Sequence, residues 1–211
     1  LRTGLPAKLG LVPGGTGCDL AKTLGIPPRD VGACCRIVLE GASRTIDVGK
    51  VEDKHFLNIA GFGYDVAVLE DSWSVGYLEG SALYLYCALR QLGSYRGFSL
   101  EMEADGRALG KSDLLMLIVA NARVFGGGFR VAPHADVEDG KLEAVVFGNM
   151  GFGGRVSALV RLLRGTHLKH PRVSAEKASR LVYRFAAPPA YETDGEWNQA
   201  RSAEVVVEAV P

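Results

Sequence analysis

Phe98-Ser-Leu-Glu-Met-Glu-Ala-Asp-Gly-Arg-Ala-Leu-Gly-Lys-Ser-Asp-Leu-Leu-Met-Leu-Ile118 is the stretch that decides the fold class. Two apolar-rich segments, Phe98 to Glu103 and Ala108 to Ile118, flank Asp105-Gly106. Asp-Gly favours a tight reversal between antiparallel strands, because both residues tolerate positive φ. The dipeptide recurs. Phe129 to Ala132 and Lys141 to Phe147 flank Asp139-Gly140, and Asp194-Gly195 follows Tyr191 to Thr193. Further strands are expected at Leu181 to Phe185 and Ala203 to Val210, and a hairpin at Thr45 to Val51 and His55 to Ala60 around Glu52-Asp53-Lys54. The prediction is an α+β chain, mainly β, built on antiparallel sheet.

Before residue 42 the texture differs. Leu9 to Val12 reads as a short buried strand, Pro13 closes it, and Gly14, Gly15 and Gly17 follow. Asp19 to Leu24 then starts a helix, with Thr16 as its N-cap and Asp19 completing a capping-box-like pair. Backbone N–H groups and a helix dipole converging on one spot suit an anion. The spacing is neither a Walker loop nor GxGxxG, and a purely structural turn explains it equally well. A second helix runs from Asp30, its cap, to Gly41, its stop. Two more are expected at Ser81 to Leu92 and Ser157 to Leu163. The division predicted is therefore 1–42, the end of an α/β unit, and 43–211, a β-rich domain.

Composition excludes several classes. Apolar residues are 47% and charged residues 23%, as in an ordinary soluble domain. Lys plus Arg equals Asp plus Glu at 24 each, so no global field points to nucleic acid. The longest apolar run, Leu114 to Ala120, is too short to span a bilayer. Four cysteines without a CxxC pair fit free thiols in a reducing cytoplasm.

Two acidic clusters carry candidate chemistry. Asp136, Glu138 and Asp139 lie within four positions of one turn, and carboxylates with a backbone carbonyl suit a hard cation. Asp194 and Glu196 flank Gly195, where one carboxylate is placed to act as a base beside the other. Solvated acidic turns are the alternative at both. Gly126-Gly127-Gly128 exceeds what a turn needs and points to close backbone approach. Asp105-Gly106, lacking such surroundings, is expected to be a turn and nothing more. His167 and His170, three apart, have a possible ligand spacing but read as part of a solvated basic segment, and Trp73 and Trp197 read as ordinary packing or as membrane- or substrate-facing side chains.

Five segments taken together resemble one family, the soluble diacylglycerol-kinase-type lipid kinases, with sphingosine kinases as more distant members. They are Val12-Pro-Gly-Gly-Thr-Gly-Cys-Asp-Leu-Ala21, Phe56-Leu-Asn-Ile-Ala-Gly-Phe-Gly-Tyr-Asp65, Val119-Ala-Asn-Ala-Arg-Val-Phe-Gly-Gly-Gly-Phe-Arg-Val-Ala-Pro-His-Ala135, Glu138-Asp-Gly-Lys-Leu142 and Asp194-Gly-Glu196. The resemblance runs nearly end to end. It implies an N-terminal α/β domain and a C-terminal β-sandwich-like domain of the NAD-kinase and diacylglycerol-kinase superfamily, with ATP between them. By the resemblance, Gly14, Gly15, Thr16 and Gly17 contact nucleotide phosphates and Asp19 belongs to an acidic network near magnesium. Asp136, Asp139 and the Lys141 carbonyl look like a structural Mg²⁺ site. Glu196 looks like the proton acceptor, with Asp194 beside it.

The implied partner is a lipid at a membrane surface, met from the cytoplasm; a homodimer is compatible with the sequence, which does not define the oligomeric state. Three departures stand out. A Gly-Gly-Asp-Gly-Thr nucleotide motif is absent, Cys18 stands where asparagine is usual, and Lys141 stands where an apolar residue is common. These 211 residues alone are therefore expected to be inactive or nearly so. The alternatives are a non-catalytic lipid-binding or regulatory β domain and a related NAD-kinase-like enzyme.

Overall fold

The computed structural model describes residues 8–15, 17–41 and 43–210. Two helices come first, α1 (Asp19–Leu24) and α2 (Val31–Glu40). The Asp30 carboxylate caps α2 by accepting the Ala33 N–H at 2.8 Å, and Gly41 ends it at φ 71. Then follow strands β1 (Val48–Val51), β2 (Lys54–Phe56) and β3 (Ile59–Gly63), and helices α3 (Tyr64–Ser72) and α4 (Gly80–Ser94). Strands β4 (Phe98–Ala104), β5 (Arg107–Ala120) and β6 (Leu142–Gly148) lead to α5 (Phe152–Leu163). The chain closes with β7 (Val173–Ala178), β8 (Arg180–Phe185), β9 (Ala190–Thr193), β10 (Glu196–Gln199) and β11 (Glu204–Val210).

All the strand pairs are antiparallel, in the order β10-β9-β3-β5-β4-β8-β11-β1-β2, with β6 and β7 branching from β5. The branch is possible because β5 is fourteen residues long. Its first half pairs with β4, and its second half lies between β3 and β6. A β-bulge between Met102 and Glu103 bends the sheet near the β4–β5 turn. The sheet therefore curls into two layers.

Two cores result. Leu117 and Val119 of β5 face inward with Phe56, Phe62, Leu100, Tyr183 and Val207. Their neighbours Ile118 and Ala120 point the other way, toward Tyr64, Val68, Cys87 and Ala158 under the helices. A strand covered on both faces explains why Leu114 to Ala120 is apolar without a break.

The structure departs from the sequence reading at several points. Leu9 to Val12 is not a strand, and Leu9 is 80% exposed. An apolar run pairs only if another strand offers a ladder, and none among the described residues does. Phe129 to Ala132 is not a strand either; a single bridge joins Phe125 and Phe129, so Asp139-Gly140 leads into β6 without closing a hairpin. Asp105 does more than turn the chain. Its carboxylate accepts N–H bonds from Ser179 and Arg180 and the Ser179 hydroxyl, which holds its pKa below the usual range. His167 and His170 are buried, His167 against the Val131 carbonyl at 2.8 Å with its ring stacked on Phe147.

Candidate active site

Asp194 anchors the site. It sits at φ 50 and Gly195 at φ 88, the left-handed pair that lets β9 reverse into β10. The turn presents the Asp194 carboxylate to the backbone N–H groups of Leu57, Asn58 and Ile59, at 2.7, 2.9 and 3.0 Å. Burial raises its pKa above the ordinary value, and the three donors offset only part of that. Asp105 uses the same device at the β4–β5 turn. Catching neighbouring N–H groups is thus a structural habit of Asp-Gly here, not a mark of catalysis. Two residues on, Glu196 is exposed at the start of β10.

The clamped segment connects to the rest of the site. The Asn58 carbonyl accepts from the N–H of Asn121 at 2.9 Å and of Ala122 at 3.1 Å. Asn121 is fully buried, and its amide donates to the Asp47 and Leu57 carbonyls at 2.8 and 3.0 Å. Asp47 in turn accepts the Gly140 N–H at 2.7 Å. Asn121 therefore links the Asp194 clamp, the segment leading into β1 and the acidic turn. Its only sequence signal was its place in the triple-glycine segment.

Gly126, Gly127 and Gly128 have φ of 66, 88 and 143, so all three occupy backbone open mainly to glycine. They form a tip between Phe125 and Phe129, whose backbones exchange bonds at 2.9 Å in both directions. The glycine loop docks on this tip. The Asp19 carboxylate accepts the Gly127 N–H at 2.8 Å, and the Lys22 ammonium donates to the Gly127 carbonyl at 3.0 Å and to Asp19 at 3.2 Å. One residue is thereby held through the peptide groups on both its sides. At the head of α1 the N-cap is Cys18, with φ 51, whose thiol donates to the Gly15 carbonyl at 2.8 Å. It replaces Thr16 in that role, and Thr16 lies outside the described residues. Gly14 and Gly15 are exposed.

In the acidic turn Asp136, Glu138 and Asp139 are all exposed. Asp136 accepts the Glu138 N–H at 3.2 Å, and Asp139 accepts the Lys141 N–H at 3.0 Å and the Lys177 ammonium at 2.7 Å. Among the described residues no cluster of three His, Cys, Asp or Glu is arranged to hold a metal. Two carboxylates plus the Lys141 carbonyl remain a hard-oxygen donor set of the type Mg²⁺ takes, with Lys177 as the competing cation.

Sequence reading missed one acidic pair. Asp65 on α3 and Glu192 on β9 are buried together beneath Gly61, which pairs with Glu192 across β3 and β9. Neither Asp65 oxygen has a donor. Desolvation, then repulsion from Glu192, raises Asp65 well above the carboxylate range, and burial pushes Glu192 up to about 7. No motif marks the pair, because one partner sits in a helix and the other more than a hundred residues later in a strand.

This architecture, a curled antiparallel sheet carrying a glycine loop docked on a triple-glycine tip, has clear relatives. Residues 58–211 match the YegS C-terminal NAD kinase beta sandwich-like domain, and residues 2–51 match the diacylglycerol kinase catalytic domain. The chain belongs to the diacylglycerol-kinase-type family. It is 28% identical over 199 residues to a diacylglycerol kinase of Bacillus subtilis, covering 94% of this chain and 65% of that protein. A Mycobacterium tuberculosis diacylglycerol kinase is 28% identical over 183 residues, covering 84% and 59%. The chain thus spans about two-thirds or less of these relatives' length. Two solved structures from Bacillus anthracis superpose on 94% of the chain, with TM-scores of 0.73 and 0.65 at 19% and 17% identity. They cover 64% and 62% of those chains, and the second is described as a diacylglycerol kinase. At that identity they speak for the fold.

Proposed function

We propose that this chain is the substrate-side portion of a lipid kinase that transfers the γ-phosphoryl group of ATP to a lipid hydroxyl such as that of diacylglycerol. The observation that carries the reading is the grip of Asp19 and Lys22 on the backbone of Gly127, because it joins the glycine loop to the β-rich domain at one place. Residues 1–42 then supply the end of the nucleotide domain, and 43–211 the substrate domain. Gly14, Gly15, Thr16 and Gly17 offer backbone N–H groups to phosphate oxygens, and Asp19 fixes that loop in position.

A lipid hydroxyl is a weak nucleophile, so its proton must leave as its oxygen attacks phosphorus. Exposed Glu196 takes that proton. Asp194, with its oxygens committed to three N–H donors, is a positioning residue that fixes the hairpin carrying Glu196. Asp136, Asp139 and the Lys141 carbonyl would hold Mg²⁺, whose charge would neutralise this acidic turn. A mostly apolar cleft of about 510 Å³, lined by Phe62, Val66, Tyr95, Phe98 and Phe185, suits a hydrocarbon chain better than a soluble substrate. The acceptor is a membrane lipid reached from the cytoplasm. The relatives named above run longer than this chain, which covers 65% and 59% of them.

The test is Glu196→Gln in a chain extended to that length, assayed with ATP and a panel of dispersed lipids. A fall of about a hundredfold or more is expected in turnover, and full activity would remove Glu196 from the mechanism. A second reading, a lipid-binding domain without catalysis, draws on the structural engagement of Asp19, Asp139 and Asp194. Absence of ATP binding by the extended chain would favour it.

A further inference from the structure

Strand β10 lies at the end of the sheet, and β9 is its one ladder partner among the described strands. A strand held along one side shifts more readily than a strand paired on both. Asp194 pins the tip of this hairpin ahead of Glu196. Just beyond Glu196 the fold takes a second hold. The Trp197 indole N–H donates to the Glu70 carboxylate at 2.9 Å, and the Trp197 ring meets that of Trp73 edge to face with centroids 6.2 Å apart.

Both partners come from the end of α3. Glu70 and Trp73 are three positions apart, so they project from one side of that helix turn. The turn is itself fastened to α4. Arg90 donates to the Asp71 carboxylate at 2.8 Å and to the Ser74 hydroxyl at 3.2 Å. Trp197 is therefore gripped by a fixed body, through a residue 127 positions away in sequence. Core packing does not explain the grip. Trp73 is 64% exposed and Trp197 38%, and neither ring belongs to either hydrophobic core. A hydrogen bond this exposed adds little to stability. What it does fix is the path of β10 one residue after Glu196.

We propose that Glu70 is a positioning residue for Glu196, acting through the Trp197 indole. This deepens the lipid-kinase reading and rests on its assignment of Glu196 as the base. Glu70 bonds Trp197 and not Glu196, so it acts on the base only through the strand. A base must stand within hydrogen-bond reach of the hydroxyl it deprotonates. Misplacing it by about 1 Å can cost up to about a hundredfold in rate. Release of β10 therefore lowers kcat without a matching loss of stability or of lipid affinity.

The contact is tested first on this chain, without turnover. It has two tryptophans, so in a Trp73→Phe background the emission comes from Trp197 alone. Acrylamide quenching of that emission should rise by about twofold with Glu70→Ala and stay low with Glu70→Gln, whose amide oxygen still accepts the indole N–H. Unchanged quenching with Glu70→Ala overturns the proposal.

The consequence is then read in the chain extended to the relatives' length, with ATP and dispersed diacylglycerol. Glu70→Ala and Trp197→Phe should each lower kcat by about tenfold or more, with KM for the lipid and thermal melting nearly unchanged. Combined, they should lose no more than either alone, because both remove one bond. Glu70→Gln should restore most of the turnover. Full kcat with Glu70→Ala overturns the proposal, as does a loss with Glu70→Gln equal to that with alanine. Absence of turnover by the extended wild type would sink the kinase reading, while the quenching result still decides whether Glu70 holds Trp197.

Discussion

The Asp65 and Glu192 carboxyl groups meet in the protein interior, where Gly61 leaves the space that both occupy. Two buried carboxylates this close cannot both ionise, and neither Asp65 oxygen has another donor. One shared proton satisfies the pair. The folded protein therefore keeps a proton on this pair at pH values where the unfolded chain has released both, because Asp65 is raised well above its ordinary 3.8 and Glu192 from 4.5 to about 7.

That difference sets the sign of a pH dependence. Between about 4.5 and about 7 the folded state binds more protons than the unfolded state, so the pair's contribution to stability falls as pH rises through this window. The melting temperature of the wild type should drop from pH 5 to pH 8. Glu192→Gln removes one raised carboxyl and the repulsion on the other, so it should reduce the slope, leaving the part that buried Asp65 carries, and be the more stable protein at pH 8. A wild-type melting curve insensitive to pH in this range would exclude the shared proton.

Gly61→Ala should destabilise the fold by about 1–3 kcal/mol, since its β-carbon would sit inside the Asp65 carboxylate. Asp65→Ala in the same background should return part of that loss. A urea-denaturation double-mutant cycle with no coupling would show that the glycine has another purpose.

Asp194→Ala removes the acceptor for three N–H groups and should cost about 2–4 kcal/mol, measured by chemical denaturation. Asp194→Asn keeps one carbonyl oxygen and should fall between. Equal loss in both variants would mean that the charge, not the acceptor geometry, holds the hairpin.

Asp19→Ala should release the glycine loop from its docking tip. The Gly127 amide loses its acceptor, so its hydrogen exchange should speed up by about tenfold or more, while β5 amides stay protected. Unchanged exchange at Gly127 would remove Asp19 as the link between the loop and the β-rich domain.

Several features were legible in the residues because they are local. Asp105-Gly106 and Asp194-Gly195 dictated positive φ and hence two hairpins; Asp30 and Gly41 bracketed α2; the glycine runs marked close backbone approach. The same local rules misled at Leu9 to Val12, where apolar character had no partner strand, and at His167, whose basic neighbours concealed a buried ring. Helix α3 went unseen because its apolar residues have no clear helical stripe, being buried on several sides beneath β3 and α4.

By itself the sequence determined most of the strands, the Asp-Gly turns and the two segments that resemble nucleotide-binding and catalytic motifs, since these depend on neighbours a few residues apart; it missed β7 and β10 and placed strands at 9–12 and 129–132 that the structure lacks. Only the tertiary structure decided that Asp19 closes on Gly127, that Asp194 is spent on three backbone donors, and that Asp65 lies against Glu192. Each of those contacts joins residues separated by more than a hundred positions, and their energetics depend on burial that only the curled sheet creates.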